Sequence, residues 1–185
     1  MKKSRFLATA TVLAILATPA VAAADELIDV QDRCDPTTFN AALGDGACAP
    51  LPGGRGGQVT FDELIGSLIT DQENGAWRFK DDDVKLRRGQ SLKVVMSRGG
   101  EGHTVTEVSS FGLGCVPELN ALVFPGQDPT AFPEVCNDPA TFTPGIFGGD
   151  LIAPGLDYEK TGLSKGVHRY QCMIHPWMTS KVTVR

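Results

Sequence analysis

Beyond residue 24 the sequence holds no apolar run of the roughly 20 residues that a membrane span requires, so the mature chain is expected to be soluble and without an anchor. Positive charge is also scarce. The 17 Lys and Arg face 22 Asp and Glu, and three of the basic residues (Lys2, Lys3, Arg5) lie ahead of an apolar stretch from Phe6 to Thr18. With small residues at Ala20, Ala22, Ala23 and Ala24, residues 1–24 read as a secretory signal peptide, which places the protein in the periplasm or outside the cell. Its removal takes the formal net charge from −5 to −8, because no acidic residue precedes Asp25. A surface of that sign excludes nucleic-acid binding, which needs clustered Lys and Arg, and suits a basic protein partner. Histidine is rarer still: three in 185 residues rule out any centre assembled from many imidazoles.

What is present fits one globular domain with long loops: 42% apolar residues, 21% charged, 21 Gly and 12 Pro. A large multidomain enzyme is out. Five cysteines, Cys34, Cys48, Cys115, Cys136 and Cys172, leave one unpaired in a monomer, and a leftover thiol in an exported protein calls for a reason such as a metal. If Cys172 is that thiol, the other four allow three connectivities. The local one, Cys34–Cys48 with Cys115–Cys136, closes the shortest loops.

Residues 25–75 read as an N-terminal extension with short helices. Asp35-Pro36 opens a helical segment that ends before Gly44, and Thr60 with Glu63 forms a capping box ahead of Phe61, Leu64, Ile65, Leu68 and Ile69 at helical spacing. From Trp77 the period falls to two. Trp77 and Phe79, Val84 and Leu86, and Leu92, Val94 and Met96 alternate as half-buried strands, and further strands are expected from His103, over Val167 to Cys172, and over Thr179 to Val184. Glu107 is an awkward neighbour of His103 and Val105 on one strand face, so a break or bulge is expected there. Residues 109–156, with seven Gly, seven Pro and two Cys, form a long loop insertion. The pattern is a mainly β sandwich, with residues 76–185 as its domain.

The chemistry concentrates in Tyr170-Gln171-Cys172-Met173-Ile174-His175-Pro176-Trp177-Met178. A thiolate, an imidazole and a thioether recur every three residues in the turn between two strands, where rigid elements aim loop side chains at one point. Two imidazoles and a thiolate with a weak axial thioether make an electron-transfer copper site, so one more His is required. His168 lies four residues before Cys172 on the same strand, roughly 13 Å away at about 3.3 Å per residue, too far to share an ion. His103 follows Gly99-Gly100-Glu101-Gly102, read here as a flexible turn, and becomes the second imidazole. The metal ligands are therefore expected to be His103, Cys172, His175 and Met178. Strand parity turns Cys172, Tyr170 and His168 inward, with Arg169 and Gln171 outward; Met178, Val182 and Val184 share the inward side of the last strand.

From about Trp77 to Arg185 the sequence resembles the cupredoxins, the small blue copper proteins of the plastocyanin, azurin and amicyanin kind. The resemblance rests on Gly-His-Thr-Val at 102–105 and Tyr-x-Cys-x2-His-Pro-x-Met at 170–178, whose short loop is similar to that of amicyanin. It implies a Greek-key β-sandwich and one copper ion cycling between Cu(I) and Cu(II). It further implies a monomer that is not an enzyme and passes single electrons between protein partners such as a cytochrome or a copper oxidoreductase. His103 and His175 would supply ring nitrogens, Cys172 the thiolate and Met178 the axial sulfur, with His175 at the edge and Ile174, Pro176 and Trp177 as an apolar contact patch. Thr104 stands where several relatives have an Asn that braces the site. Backbone N–H groups near Thr104 or Met178 are candidate donors to the Cys172 sulfur. A protein that sequesters or delivers copper is the alternative; slow copper release and no electron exchange with a redox partner would mark it.

Overall fold

The computed structural model describes residues 26–50 and 58–185; the expected signal peptide lies outside them. Among the described residues, ten strands and three α-helices follow in the order β1 (Glu26–Gln31), α1 (Pro36–Leu43), α2 (Phe61–Asp71), β2 (Arg78–Phe79), β3 (Asp83–Leu86), β4 (Leu92–Arg98), β5 (His103–Thr104), β6 (Thr106–Val108), α3 (Pro117–Val123), β7 (Leu151–Ile152), β8 (Asp157–Lys160), β9 (Gly166–Gln171) and β10 (Thr179–Val184). One sheet runs β2-β1-β4-β8 and the other β3-β10-β9-β6, with β5 and β7 forming a separate two-stranded ribbon. β1 with β4 and β3 with β10 are parallel pairs, and the remaining ladders are antiparallel.

Alternation explains the core. Ile28 and Val30, Val84 and Leu86, Leu92 and Val94, and Val182 and Val184 bury every second residue, and together with Trp77, Phe79, Tyr158 and Tyr170 they form one continuous apolar cluster. Each such side chain contributes about 1.5–3 kcal/mol when fully buried. α1 starts where the Asp35 side chain accepts from the amides of Thr37 and Thr38, and α2 carries the full Thr60–Glu63 capping box. Leu64 and Leu68 face inward from α2, whereas Ile69 is 60% exposed. Phe39 of α1 stacks on Trp77, with centroids 5.6 Å apart.

Three departures from the sequence reading bear on function. Residues 26–31, assigned above to a helical extension, are a strand inserted between β2 and β4, so this part of the extension completes a sheet. Its run Leu27-Ile28-Asp29-Val30 has no helical period, and the buried polar Asp29 obscures the alternation. The insertion at 109–156 holds α3, three short 3-10 turns and β7, which pairs with β5 through His103↔Ile152. Gln171, expected to face outward, is 1% exposed, because its amide donates to the Gly112 carbonyl (2.7 Å) and accepts from the Gly112 amide (3.0 Å). The insertion thus covers that face of β9.

Cys34 pairs with Cys48 and Cys115 with Cys136, while Cys172 is free and buried. Replacing Cys34 and Cys48 together by Ala is expected to cost about 3 kcal/mol on chain-entropy grounds, read from the midpoint and slope of urea denaturation.

Far from the ligand loop, His168 Nδ1 lies 2.7 Å from Glu107 Oε1 and Nε2 lies 2.8 Å from the Ser164 carbonyl. Burial opposes its charge, but that carbonyl and carboxylate prevail and raise its pKa above 6.5. A raised value means the stabilisation is complete below the unfolded value and fades as pH climbs through the folded one. His168→Gln is expected to remove this loss of stability on the alkaline side of pH 6.5, measured by denaturation as a function of pH.

Candidate metal centre

Three donor atoms from two remote segments converge at one end of the sandwich. His103 Nδ1 is 3.8 Å from Cys172 Sγ, His175 Nδ1 is 3.7 Å from the same sulfur, and the two nitrogens are 3.1 Å apart. All three residues are buried, with exposures of 0% for His103 and Cys172 and 4% for His175. The triangle has the size produced by bonds of roughly 2.0 Å to imidazole nitrogen and 2.3 Å to thiolate sulfur meeting at one ion, values borrowed from zinc. Burial pushes the Cys172 thiol up, but hydrogen bonds and charge from His103 and His175 more than offset this and hold it well below the usual thiol range. A thiol lowered in this way favours the thiolate, the form that binds metals.

The loop is closed from within. The Cys172 amide donates to the Met178 carbonyl (3.0 Å), the Met178 amide donates to the His175 carbonyl (2.9 Å), and the His175 amide points at Cys172 Sγ (3.4 Å). Met178 is 1% exposed at the end of this loop. The Thr104 amide approaches Cys172 Sγ at 3.5 Å, so the two main-chain groups nearest the sulfur belong to Thr104 and His175, with the Met178 amide turned to a carbonyl instead.

Outside the loop, two braces hold it. Thr104 Oγ1 accepts the Met173 amide at 2.8 Å and is itself approached by Thr106 Oγ1 at 3.2 Å. From the insertion, the Cys115 amide donates to the Met173 carbonyl at 2.6 Å, and the neighbouring Gly114 is clamped by Asn120 through both its amide and its carbonyl. Any Cβ on Gly114 would press on Met173 and Pro176, which is why this position takes glycine.

Behind the imidazoles stand two buried carboxylates to which the sequence reading gave no role. Asp32 Oδ2 lies 2.8 Å from His103 Nε2. Glu101 Oε2 lies 3.8 Å from His175 Nε2 and accepts the Trp77 indole N–H. Burial raises the Glu101 carboxyl, whereas Asp32 stays below the usual carboxylate range: desolvation works against its charge, but His103 and backbone amides outweigh it. Without a bound ion the same environment lifts His103 to about 10, its burial opposed by Asp32 and Cys172. Asp32 sits two residues before a disulfide cysteine with no metal-ligand spacing to mark it, so only the fold reveals its position.

The turn before His103 is packed, contrary to its reading as flexible. A Cβ on Gly99 would collide with Met96 and Asp32, and one on Gly100 with Ala49 and both sulfurs of the Cys34–Cys48 bridge. His175, expected at the edge of the site, is 4% exposed, and the half-buried Trp177 ring meets it edge-on at 5.4 Å. His168 points elsewhere, as its distance along the strand requires.

No family model and no curated protein matches the chain. Among solved structures it is similar to a reduced amicyanin mutant, 17% identical over 58% of this chain and 73% of that one with a TM-score of 0.35. It is also similar to a novel purple cupredoxin from Nitrosopumilus maritimus (17% identical, 65% and 92% covered, TM-score 0.37) and to oxidised plastocyanin from Dryopteris crassirhizoma (17%, 59% and 89%, 0.36). At such identities and scores the support for any chemistry comes from the side chains of this chain.

Thr104→Val keeps the shape of the side chain but leaves the Met173 amide without its acceptor. Chemical denaturation of the metal-free protein is expected to show a loss of about 1–3 kcal/mol, with Thr104→Ser closer to the wild type. Equal stability of Thr104→Val and wild type would remove this contact from the list of braces.

Proposed function

We propose that this cupredoxin-like β-sandwich binds one copper ion through His103, Cys172 and His175, with Met178 as a weaker fourth ligand, and carries single electrons between redox proteins. The observation that carries the reading is the buried triangle of two imidazole nitrogens and one thiolate sulfur. Soft sulfur with imidazole suits copper; zinc prefers sets of Cys, His and carboxylate and seldom takes a thioether. Bound copper would supply the one-electron couple between Cu(I) and Cu(II).

The protein's own contribution is rigidity and shielding. Thr104, Cys115 and the two backbone bonds inside the loop fix Cys172 and His175 against movement, so that little rearrangement accompanies a change of charge. Burial keeps water from the donor atoms. Half-buried Ile174 and Trp177 offer apolar surface at this end of the molecule, and the Trp177 ring lies edge-on against His175, linking the donor set to that surface. A donor set this enclosed would release an ion slowly whether it is resident or stored, so electron exchange with a redox protein is what separates the two readings. The partner proteins would be oxidised or reduced in place, with no catalytic residue required of this chain.

Cu(II) added to the purified mature protein is expected to produce an intense thiolate-to-copper absorption band that Cys172→Ser abolishes, together with reversible one-electron voltammetry of the wild type. Absence of the band in the wild type would overturn the copper reading. A band with no electron exchange toward a redox protein would favour storage.

A further inference from the structure

We infer that Asp32 is a positioning residue for the metal site: its buried carboxylate fixes the orientation of His103 and, by its charge, favours Cu(II) over Cu(I). This inference rests on the copper reading above. The side chains of Asp32 and His103 are both fully buried. Asp32 Oδ2 lies 2.8 Å from His103 Nε2 and also accepts the Glu101 amide at 3.2 Å, while Oδ1 accepts the amides of Cys34 (3.2 Å) and Gly100 (2.9 Å). Three amides from two segments therefore hold the carboxylate in one place before any metal arrives.

An ionised carboxylate only accepts hydrogen bonds, so the proton of the neutral His103 ring sits on Nε2 and the lone pair of Nδ1 is left facing Cys172 and His175. The charge acts as well as the geometry. A full negative charge one imidazole ring away, screened by protein and not by water, stabilises the more positive oxidation state more than the less positive one. Glu101 stands behind His175 in a comparable place, but at 3.8 Å and with its oxygen bonded to the Trp77 indole. The effect should therefore be unequal between the two carboxylates.

Potentiometry of copper-loaded Asp32→Asn is expected to show the Cu(I)-to-Cu(II) affinity ratio raised at least tenfold over wild type, an upward shift of about 59 mV for a one-electron couple, with the thiolate-to-copper band retained. Glu101→Gln is expected to move the ratio by less. If Asp32→Asn keeps the band and changes the ratio less than twofold, or if Glu101→Gln moves it as far as Asp32→Asn does, the role assigned to Asp32 is wrong while the copper reading stands. A wild type that forms no band removes both.

Should Asp32→Asn fail to fold, nitrogen-15 NMR of the wild-type Cu(I) form decides. A slowly exchanging proton on His103 Nε2, shifted downfield by its carboxylate acceptor, is the expected result, and a rapidly exchanging Nε2 proton overturns the inference.

Discussion

A thiolate sealed from water between two imidazoles must find all its compensation inside the protein, because desolvation penalises an uncompensated charge heavily. Cys172 finds it in His103 and His175, and these in turn need their far nitrogens satisfied. Buried networks reward completeness: a half-satisfied set of polar groups would be worse than an apolar core. The chain from Cys172 through His103 to Asp32 and its three amides meets that condition step by step. The surrounding architecture can be understood as the scaffold that keeps those steps in register.

Two of the scaffold's parts come from outside the strands that carry the ligands. β1 runs parallel to β4 and delivers Asp32 one residue past its end, where the Asp32 amide bonds the Arg98 carbonyl. The Cys34–Cys48 bridge then packs on Gly100, and the Ala49 amide bonds the Gly100 carbonyl at 2.7 Å. On the opposite flank, the insertion reaches the ligand loop through Cys115 and the His103 strand through β7. Long segments that lack regular patterning in the sequence thus both cover and fix the end of the sandwich where His103, Cys172 and His175 meet.

Much of this was readable from residue types and spacing. The period-two strands from Trp77 onward and the capping box of α2 follow local rules, and so does the exclusion of His168, whose distance along β9 is set by strand rise and which left His103 as the second imidazole. What escaped the sequence depends on tertiary contact. β1 carries a polar residue at 29 because Asp29 bonds Ser97 across the sheet, so its alternation is masked. Gln171 lies inward of the surface because a distant insertion covers it, and no neighbour in sequence signals that. Glycines at 99 and 100 look like freedom in a sequence, yet here they are the absence of a Cβ where a carboxylate and a disulfide press in.

The same reasoning accounts for the length of chain spent ahead of the sandwich. A carboxylate on a surface loop would be screened by water and would leave its histidine free to turn. To act across an imidazole, the charge must be buried, and to remain charged when buried it must be surrounded by donors. Asp32 obtains one donor from its own segment, at Cys34, and the others from the 98–103 turn, at Gly100, Glu101 and His103. That arrangement requires two backbones in contact, which the paired glycines permit and the disulfide beside them secures. The N-terminal segment is therefore part of the His103–Cys172–His175 end of the sandwich, since His103 and the carboxylate bonded to it reach the same point from two segments that neither backbone could bring there alone.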